Sequence, residues 1–297
     1  MTTSQIDFLK GHGTENDFVI VPDPDNAIDL PASAVAAICD RRAGIGGDGL
    51  LHVVRSAAHP EARGMAGAAE WFMDYRNGDG STAEMCGNGV RVFARHLQRA
   101  GLVEDGDLAI ATRGGVKRAH LAKNGDVTVS MGRAVLPPDG VRVTVGDRSW
   151  PALNVNMGNP HAVAFVDDLA DAGALLSVPE FAPASVYPDG VNVEFVVDRG
   201  ERHVAMRVHE RGSGETRSCG TGACAVAVAA ARRDGIDPAI TGEPVTYTVD
   251  LPGGRLVITE LPDGEIEMTG PAVIVAEGTI DAAFRETALS AMETALS

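Results

Sequence analysis

No stretch of the sequence approaches the ~20 uninterrupted apolar residues of a membrane span. The opening Met1-Thr2-Thr3-Ser4-Gln5 has neither the basic nor the apolar region of a signal peptide. A soluble, cytoplasmic protein with no membrane partner is expected. Basic residues are in deficit, Lys+Arg 25 against Asp+Glu 41 for a formal net charge of -16, and long-range repulsion points away from nucleic acid. Lysine is scarcer still: Lys10, Lys117 and Lys123 stand in no phosphate-binding or nucleophile setting, which speaks against a pyridoxal phosphate Schiff base. The four cysteines, Cys39, Cys86, Cys219 and Cys224, form no C-x-x-C pair and no paired zinc-module spacing, so no metal site or disulfide framework is expected. Free thiols are then the default, and a cysteine in an unusual local setting is read as a reactive group.

What the sequence does have is length for two cores and a weak internal repeat. Its 297 residues suggest two domains of roughly 130 to 150 residues each, with a cleft between them. Three landmarks occur once per half, in the same order. An Asn leads into an apolar run at Asn16-Asp17-Phe18-Val19-Ile20-Val21 and again at Asn159-Pro160-His161-Ala162-Val163-Ala164-Phe165-Val166. Asp-Gly precedes a strand-like run at Asp48-Gly49 and Asp189-Gly190. Cys-Gly-x-Gly opens a helical stretch at Cys86-Gly87-Asn88-Gly89 and Cys219-Gly220-Thr221-Gly222. Asn77 and Glu210 each lie nine residues before their cysteine, ending a strand-like run.

Between landmarks, apolar runs such as Ala109-Ile110-Ala111, Val127-Thr128-Val129, Val191 to Val197 and Leu256-Val257-Ile258 are separated by Gly, Pro, Asn and Asp, the pattern of strands and turns. Each half also carries one dominant helix: Ala223 to Ala231 is apolar on every side and ends in Arg232-Arg233, and Val90 to Leu97, with Arg91 and Arg95 at i, i+4 spacing, is its counterpart. The expected fold class is therefore α+β, two pseudo-symmetric domains, each a mostly antiparallel sheet or barrel around a central buried helix. Ser56 to Glu70 reads as a hairpin insertion, Leu136-Pro137-Pro138-Asp139-Gly140 as a domain crossover, and Ala282 to Ser297 as a short amphipathic tail.

A thiol becomes a useful base when its thiolate is stabilised, and unpaired N–H groups at a helix N-terminus do that. The glycines of Cys-Gly-x-Gly let a ligand approach the same N–H groups, so one short motif supplies a base and a site for the carboxylate beside the proton being removed. Two such motifs, one per domain, suit inversion at carbon: one group takes the proton as thiolate, the other delivers one as thiol from the far side. Cys39 and Cys224 lie inside apolar helical runs without the glycine context and read as packing residues. Gly44-Ile45-Gly46-Gly47-Asp48-Gly49 satisfies a dinucleotide fingerprint, but it follows a helix pattern and opens a strand, the reverse of what that motif requires.

These residues resemble the diaminopimelate epimerase family over nearly the whole chain, through His12 to Phe18, Gly44 to Gly49, Asn77-Gly78-Asp79-Gly80-Ser81, Ala83 to Gly89, Gly158-Asn159-Pro160-His161, Glu210 to Thr216 and Cys219 to Gly222. The resemblance implies interconversion of LL- and meso-diaminopimelate, for lysine and cell-wall synthesis, without cofactor or metal. It makes Cys86 and Cys219 the acid-base pair and sets His161 and Glu210 beside them. It puts Asn16, Asn77, Asn159, Asn192, Glu210 and Arg211 on a small amino-acid substrate, with Gly87, Asn88, Gly220 and Thr221 offering donors to the reacting carboxylate. It also implies a strand from Pro271 that returns to the first domain, so that residues 1–131 with 271–284 form one domain, 132–270 the other and 285–297 a tail, and a homodimer. Two positions depart from the pattern: Glu15 stands where a glycine is common, and Gly49 where many members carry a substrate-contacting Gln.

Three other readings fit parts of this pattern. A proline or hydroxyproline racemase shares the cysteine pair but calls for a smaller, more apolar pocket than the Asn set and Arg211 provide. A phenazine-type isomerase lacks the cysteine pair. A dithiol redox switch would use Cys86 and Cys219 as a reversible disulfide, and only turnover separates it from the epimerase.

Overall fold

A computed structural model describes residues 6–284; residues 285–297, read from the sequence as a tail, lie outside the described residues. Gly, Pro and Asn cut the chain into short strands, and among the described residues two segments form long helices. The first stretch runs β1 (Ile6–Gly13), β2 (Asn16–Pro22), α1 (Ala32–Cys39), β3 (Gly49–Arg55), β4 (Trp71–Asn77), α2 (Gly87–Arg99), β5 (Gly106–Thr112), β6 (Gly115–Leu121) and β7 (Asp126–Arg133). It continues with β8 (Val141–Val145), β9 (Arg148–Asn156), β10 (Pro160–Phe165), β11 (Glu180–Ala182), β12 (Asn192–Gly200), β13 (His203–Glu210), β14 (Gly214–Thr216), α3 (Gly220–Arg233) and the single turn α4 (Pro238–Thr241). β15 (Val245–Leu251), β16 (Gly254–Glu260), β17 (Glu265–Pro271) and β18 (Val273–Ile280) complete it. The architecture is α+β and mostly strand.

The chain divides into two units, the described parts of Met1–Val129 with Pro271–Ser297, and Ser130–Gly270. In the first, β1 pairs antiparallel with both β18 and β2, β2 runs parallel to β3, β3 antiparallel to β4, β4 parallel to β5, and β5, β6 and β7 follow antiparallel. The second repeats the series: β9 and β10 antiparallel, β10 and β12 parallel, β12 and β13 antiparallel, β13 and β15 parallel, then β15, β16 and β17 antiparallel. Residue registers repeat as well. Phe18 lies opposite Gly49 across the parallel pair of the first unit, as His161 lies opposite Asn192 in the second.

Each unit packs its sheet against one long helix, and in the first unit α1 packs on the sheet as well, with Val35, Ile38 and Cys39 in one core cluster with Val19, Val21 and Leu50. From Gly87 to Leu97 α2 is buried except at Arg95, and α3 is buried at Gly220 and from Gly222 to Ala231. The run of Ala and Val in α3 explains this, because small side chains let strands approach the helix on every side without polar groups to satisfy. In α2 the terminal nitrogens of the buried Arg91 donate instead to Pro271 O at 2.6 Å, Thr14 Oγ1 at 3.1 Å and Asn88 Oδ1 at 2.6 Å.

Two expectations are corrected. Residues 56–70 are not an inserted hairpin: β3 and β4 form the hairpin, and the segment is its connection, with 3-10 turns at Ser56–Ala58 and Arg63–Met65. The segment is alanine-rich and has no β-branched residue, so nothing favours strands there. Nor do Pro137-Pro138 mark the crossover. The chain passes from one unit to the other within β7, and residues 136–140 are irregular backbone inside the second unit.

Candidate active site

Both Cys-Gly-x-Gly motifs fold in the same way. Cys86 is the N-cap of α2 with extended backbone, and its Sγ accepts from the Gly89 N–H at 3.5 Å. Cys219 is the N-cap of α3, and its Sγ accepts from the Gly222 N–H at 3.3 Å. Gly87 and Gly220 are the first helical residues, where backbone N–H groups lack intrahelical partners. A sulfur in that place is favoured as thiolate by the N–H groups and by the helix dipole.

In the first unit the Cys86 thiol donates to Asn16 Oδ1 at 3.5 Å, and Asn88 Nδ2 donates to the same oxygen at 3.2 Å. Asn16 is itself oriented by Asp48, which accepts from Asn16 Nδ2 at 2.7 Å and is held by Arg41 at 2.6 Å. The sequence marks Asp48 as a landmark before a strand but gives it no part in the site. Asn77 ends β4, accepts from Tyr75 OH at 3.1 Å and donates to Ser81 Oγ at 3.0 Å. The departure at Gly49 has a steric reason: a Cβ there would lie 2.5 Å from the Arg76 carbonyl oxygen and 2.7 Å from the Tyr75 ring. A Gln side chain has no room without moving β4, so glycine belongs to this close strand approach rather than marking only a lost contact.

The second unit gathers more charge. Glu210 is hydrogen-bonded to Cys219 and accepts from Thr216 Oγ1. Burial raises its pKa, against the hydrogen bonds from Thr216 and Cys219. Burial also raises the Cys219 thiol well above its ordinary value, reinforced by the charges of Glu210 and Glu194 and opposed by Thr221 and the Gly222 N–H. The thiol proton thus faces a carboxylate acceptor, while a hydroxyl and a backbone N–H stand ready for the sulfur's charge. Asn159 Nδ2 donates to Thr221 Oγ1 at 3.3 Å, and Thr221 Oγ1 lies 3.5 Å from Cys219 Sγ. His161 is fully buried between Asn159 Oδ1, 3.1 Å from Nε2, and Glu194 Oε1, 2.6 Å from Nδ1. Asn192 and Arg211 form a separate contact: Asn192 Oδ1 accepts the Arg211 backbone N–H at 2.8 Å, and the Arg211 guanidinium reaches the Asp189 carbonyl at 3.1 Å. Gly190, at φ +84, keeps its place clear for the Arg211 stem, which would lie 3.1 Å from a Cβ.

Cys86, Asn16 and Asn88 therefore meet in one unit, and Cys219, Glu210, His161, Asn159 and Thr221 in the other. The sequence reading missed Glu194, although a carboxylate inside the apolar run Val191 to Val197 was a visible signal. Cys39 ends α1 among core residues, and burial pushes its thiol up to about 11. Cys224 is buried inside α3. Gly44 to Gly49 connects α1 to β3. Among the described residues no group of His, Cys, Asp and Glu is arranged to hold a metal ion, and no helix is long and apolar enough to cross a membrane.

The family model for diaminopimelate epimerase matches residues 8–137 and 153–275. The diaminopimelate epimerase of Streptomyces coelicolor is 79% identical over 288 residues, 97% of this chain and 100% of that protein. That of Thermobifida fusca is 48% identical over 92% of this chain and 97% of its own length. Among solved structures, a phenazine biosynthesis protein of the PhzF family from Bacillus anthracis superposes with a TM-score of 0.70 at 16% identity, covering 94% of this chain and 100% of that one. A hydroxyproline epimerase from Agrobacterium vitis does so with a TM-score of 0.62 at 15% identity, covering 96% and 95%. At those identities the structures share the fold alone, whereas the sequence relatives are close over the full length: this chain belongs to the diaminopimelate epimerase family.

Proposed function

We propose that the protein interconverts LL- and meso-2,6-diaminopimelate, in lysine and peptidoglycan synthesis, by moving the α-proton between substrate carbon and the thiols Cys86 and Cys219. The observation that carries this reading is the duplication of one device: in each unit a cysteine caps a buried helix and accepts the N–H of the third residue after it. One thiolate removes the proton from one face of the carbon and the other thiol supplies a proton to the opposite face. Glu210 takes the Cys219 proton, and Thr221 and the Gly222 N–H carry the sulfur's charge. The N–H groups of Gly87-Asn88 and Gly220-Thr221 bind the reacting carboxylate, whose negative charge grows as the carbanion forms. Asn16, Asn77, Asn159, Asn192 and Arg211 hold the rest of the substrate, since amides both donate and accept to an amino-acid group.

The family resemblance supports a cofactor-independent reaction on a small molecule by a cytoplasmic homodimer. The test is turnover. Reduced protein incubated with LL-diaminopimelate should give the meso isomer on chiral separation and leave L-proline unchanged. Racemisation of proline alone would keep the mechanism and replace the substrate; inversion of neither would remove the proposal.

A further inference from the structure

Glu194 carries no role in the reading above, yet it begins a continuous chain of hydrogen bonds that ends on Cys219. Its Oε1 lies 2.6 Å from His161 Nδ1; His161 Nε2 lies 3.1 Å from Asn159 Oδ1; Asn159 Nδ2 lies 3.3 Å from Thr221 Oγ1; Thr221 Oγ1 lies 3.5 Å from Cys219 Sγ. The chain has a direction. Asn159 gives its amide N–H to Thr221, which leaves the threonine hydroxyl proton for the sulfur. The Asn159 carbonyl then faces His161, so both imidazole nitrogens look at oxygen acceptors, an arrangement that a doubly protonated ring satisfies. His161 and Glu194 are both fully buried, and the second Glu194 oxygen has no hydrogen-bond partner among the described residues. A buried carboxylate left without a counter-charge is costly, and His161 is the group placed to provide one.

The first unit supplies an internal control. By the strand registers, Phe18 and Leu51 occupy the places of His161 and Glu194. The third residue after each cysteine reports the same equivalence. A Cβ on Gly89 would meet Leu51 Cδ2 at 3.3 Å and Phe18 Cζ at 3.7 Å, whereas one on Gly222 would meet Glu194 Oε1 at 2.9 Å. The fold is thus built equally well around an apolar pair, and the polar pair belongs to the Cys219 half alone.

We propose that Glu194 is a positioning residue for Cys219: it holds His161 as an imidazolium, and through Asn159 and Thr221 this ion pair fixes a hydroxyl donor on the sulfur. The proposal deepens the epimerase reading and rests on it for the role of Cys219, but its test needs no turnover. The Glu194 carboxylate taken alone holds the Cys219 thiol up, but with an imidazolium the pair is neutral as a whole, so Glu194→Gln removes a carboxylate and the ring's second proton together and leaves the local net charge unchanged. What is lost is the drive on the hydroxyl donor. If Glu194 acted only as an unbalanced negative charge, the same substitution would make the thiolate easier to form.

The two accounts predict opposite signs. Alkylation of the reduced protein by iodoacetamide, followed peptide by peptide by mass spectrometry, gives the rates at Cys219 and Cys86 in one sample. In Glu194→Gln the Cys219 rate should fall roughly tenfold, the effect of losing one hydrogen bond to a charged group, with the Cys86 rate unchanged as the check on folding. A faster or unaltered Cys219 overturns the proposal. The double variant His161→Phe with Glu194→Leu, which copies the first unit, should fold with an unchanged melting temperature and show the same selective slowing. Unaltered Cys219 reactivity there is equally contrary, and it keeps the test alive should the Gln variant fail to fold. In 15N-histidine spectra His161 should carry protons on both nitrogens in the parent protein and on one in Glu194→Gln; a singly protonated ring in the parent contradicts the chain's direction. Absence of diaminopimelate turnover with these rates as expected would refute the substrate and leave the relay standing.

Discussion

At the scale of single residues, one of the two departures from the family pattern falls in a tight turn. Thr14 and Glu15 form the two-residue loop between the paired Gly13 and Asn16, with φ of 51 and 63. That is the type I′ hairpin, whose central positions favour Gly and Asn because a Cβ is strained at positive φ. Thr14 is tied to Arg91 by its hydroxyl, and the exposed Glu15 donates its backbone N–H to His12 Nδ1 at 3.2 Å, a bond that glycine keeps. Glu15→Gly should therefore stabilise the protein by roughly 0.5 to 1 kcal/mol, relief of left-handed strain less the greater freedom of glycine in the unfolded chain. Urea unfolding of the two proteins measures this, and a destabilised variant would show that the Glu15 side chain contributes more than the strain costs. Glu194 and Asp48 mark the limit of legibility at this scale. Their importance lies in partners 33 and 32 residues away in the chain, a relation that only strand register creates.

At the scale of elements, the helix starts were readable because their cause is local. Cys-Gly-x-Gly followed by an apolar run is both a cap and a helix, and strands separated by Gly and Pro are equally local in origin. The connection at 56–70 was misread because its glycines and proline signal turns without saying what the turns join. α2 also holds a group the site does not use. His96 is 4% exposed and neither ring nitrogen has a hydrogen-bond partner among the described residues. Burial, helped by the charge of Arg99, lowers its pKa from 6.5 to about 4. Because the folded value is the lower one, the unfolded chain takes up the proton first, so stability is lost as pH falls from about 6.5 to about 4. His96 alone should cost about 2 kcal/mol between pH 7 and pH 5. His96→Leu should flatten that part of the stability profile in denaturant titrations; an unchanged slope would mean that His96 titrates normally. Asp17 and Asp74 act in a separate window. Burial opposes their ionisation, but Arg41 and Lys10 around Asp17, and His52 and Arg76 around Asp74, hold both well below the usual carboxylate range. Their contribution is lost only as pH falls below 3.8.

At the scale of the whole molecule, the repeat was the strongest signal in the sequence, and the strand pairings explain why. The two units repeat one series of parallel and antiparallel partners, so equivalent residues occupy equivalent places. Duplication kept the cysteine, its helix and its N–H groups in both units and let the surroundings diverge. Asn16 and Asn88 meet Cys86, whereas Glu210, Thr221 and the His161–Glu194 pair surround Cys219. Such divergence suits a reaction in which one sulfur must be able to rest as the acid while the other acts as the base. The central claim is that both thiols serve one carbon. It is tested most directly by exchange of the substrate α-proton in heavy water, followed by NMR with chiral separation, for the parent protein and for Cys86→Ala and Cys219→Ala. The account predicts that the parent incorporates deuterium with inversion, and that each single variant loses inversion because the two groups act as a unit. Inversion at the parent rate in either variant would contradict it.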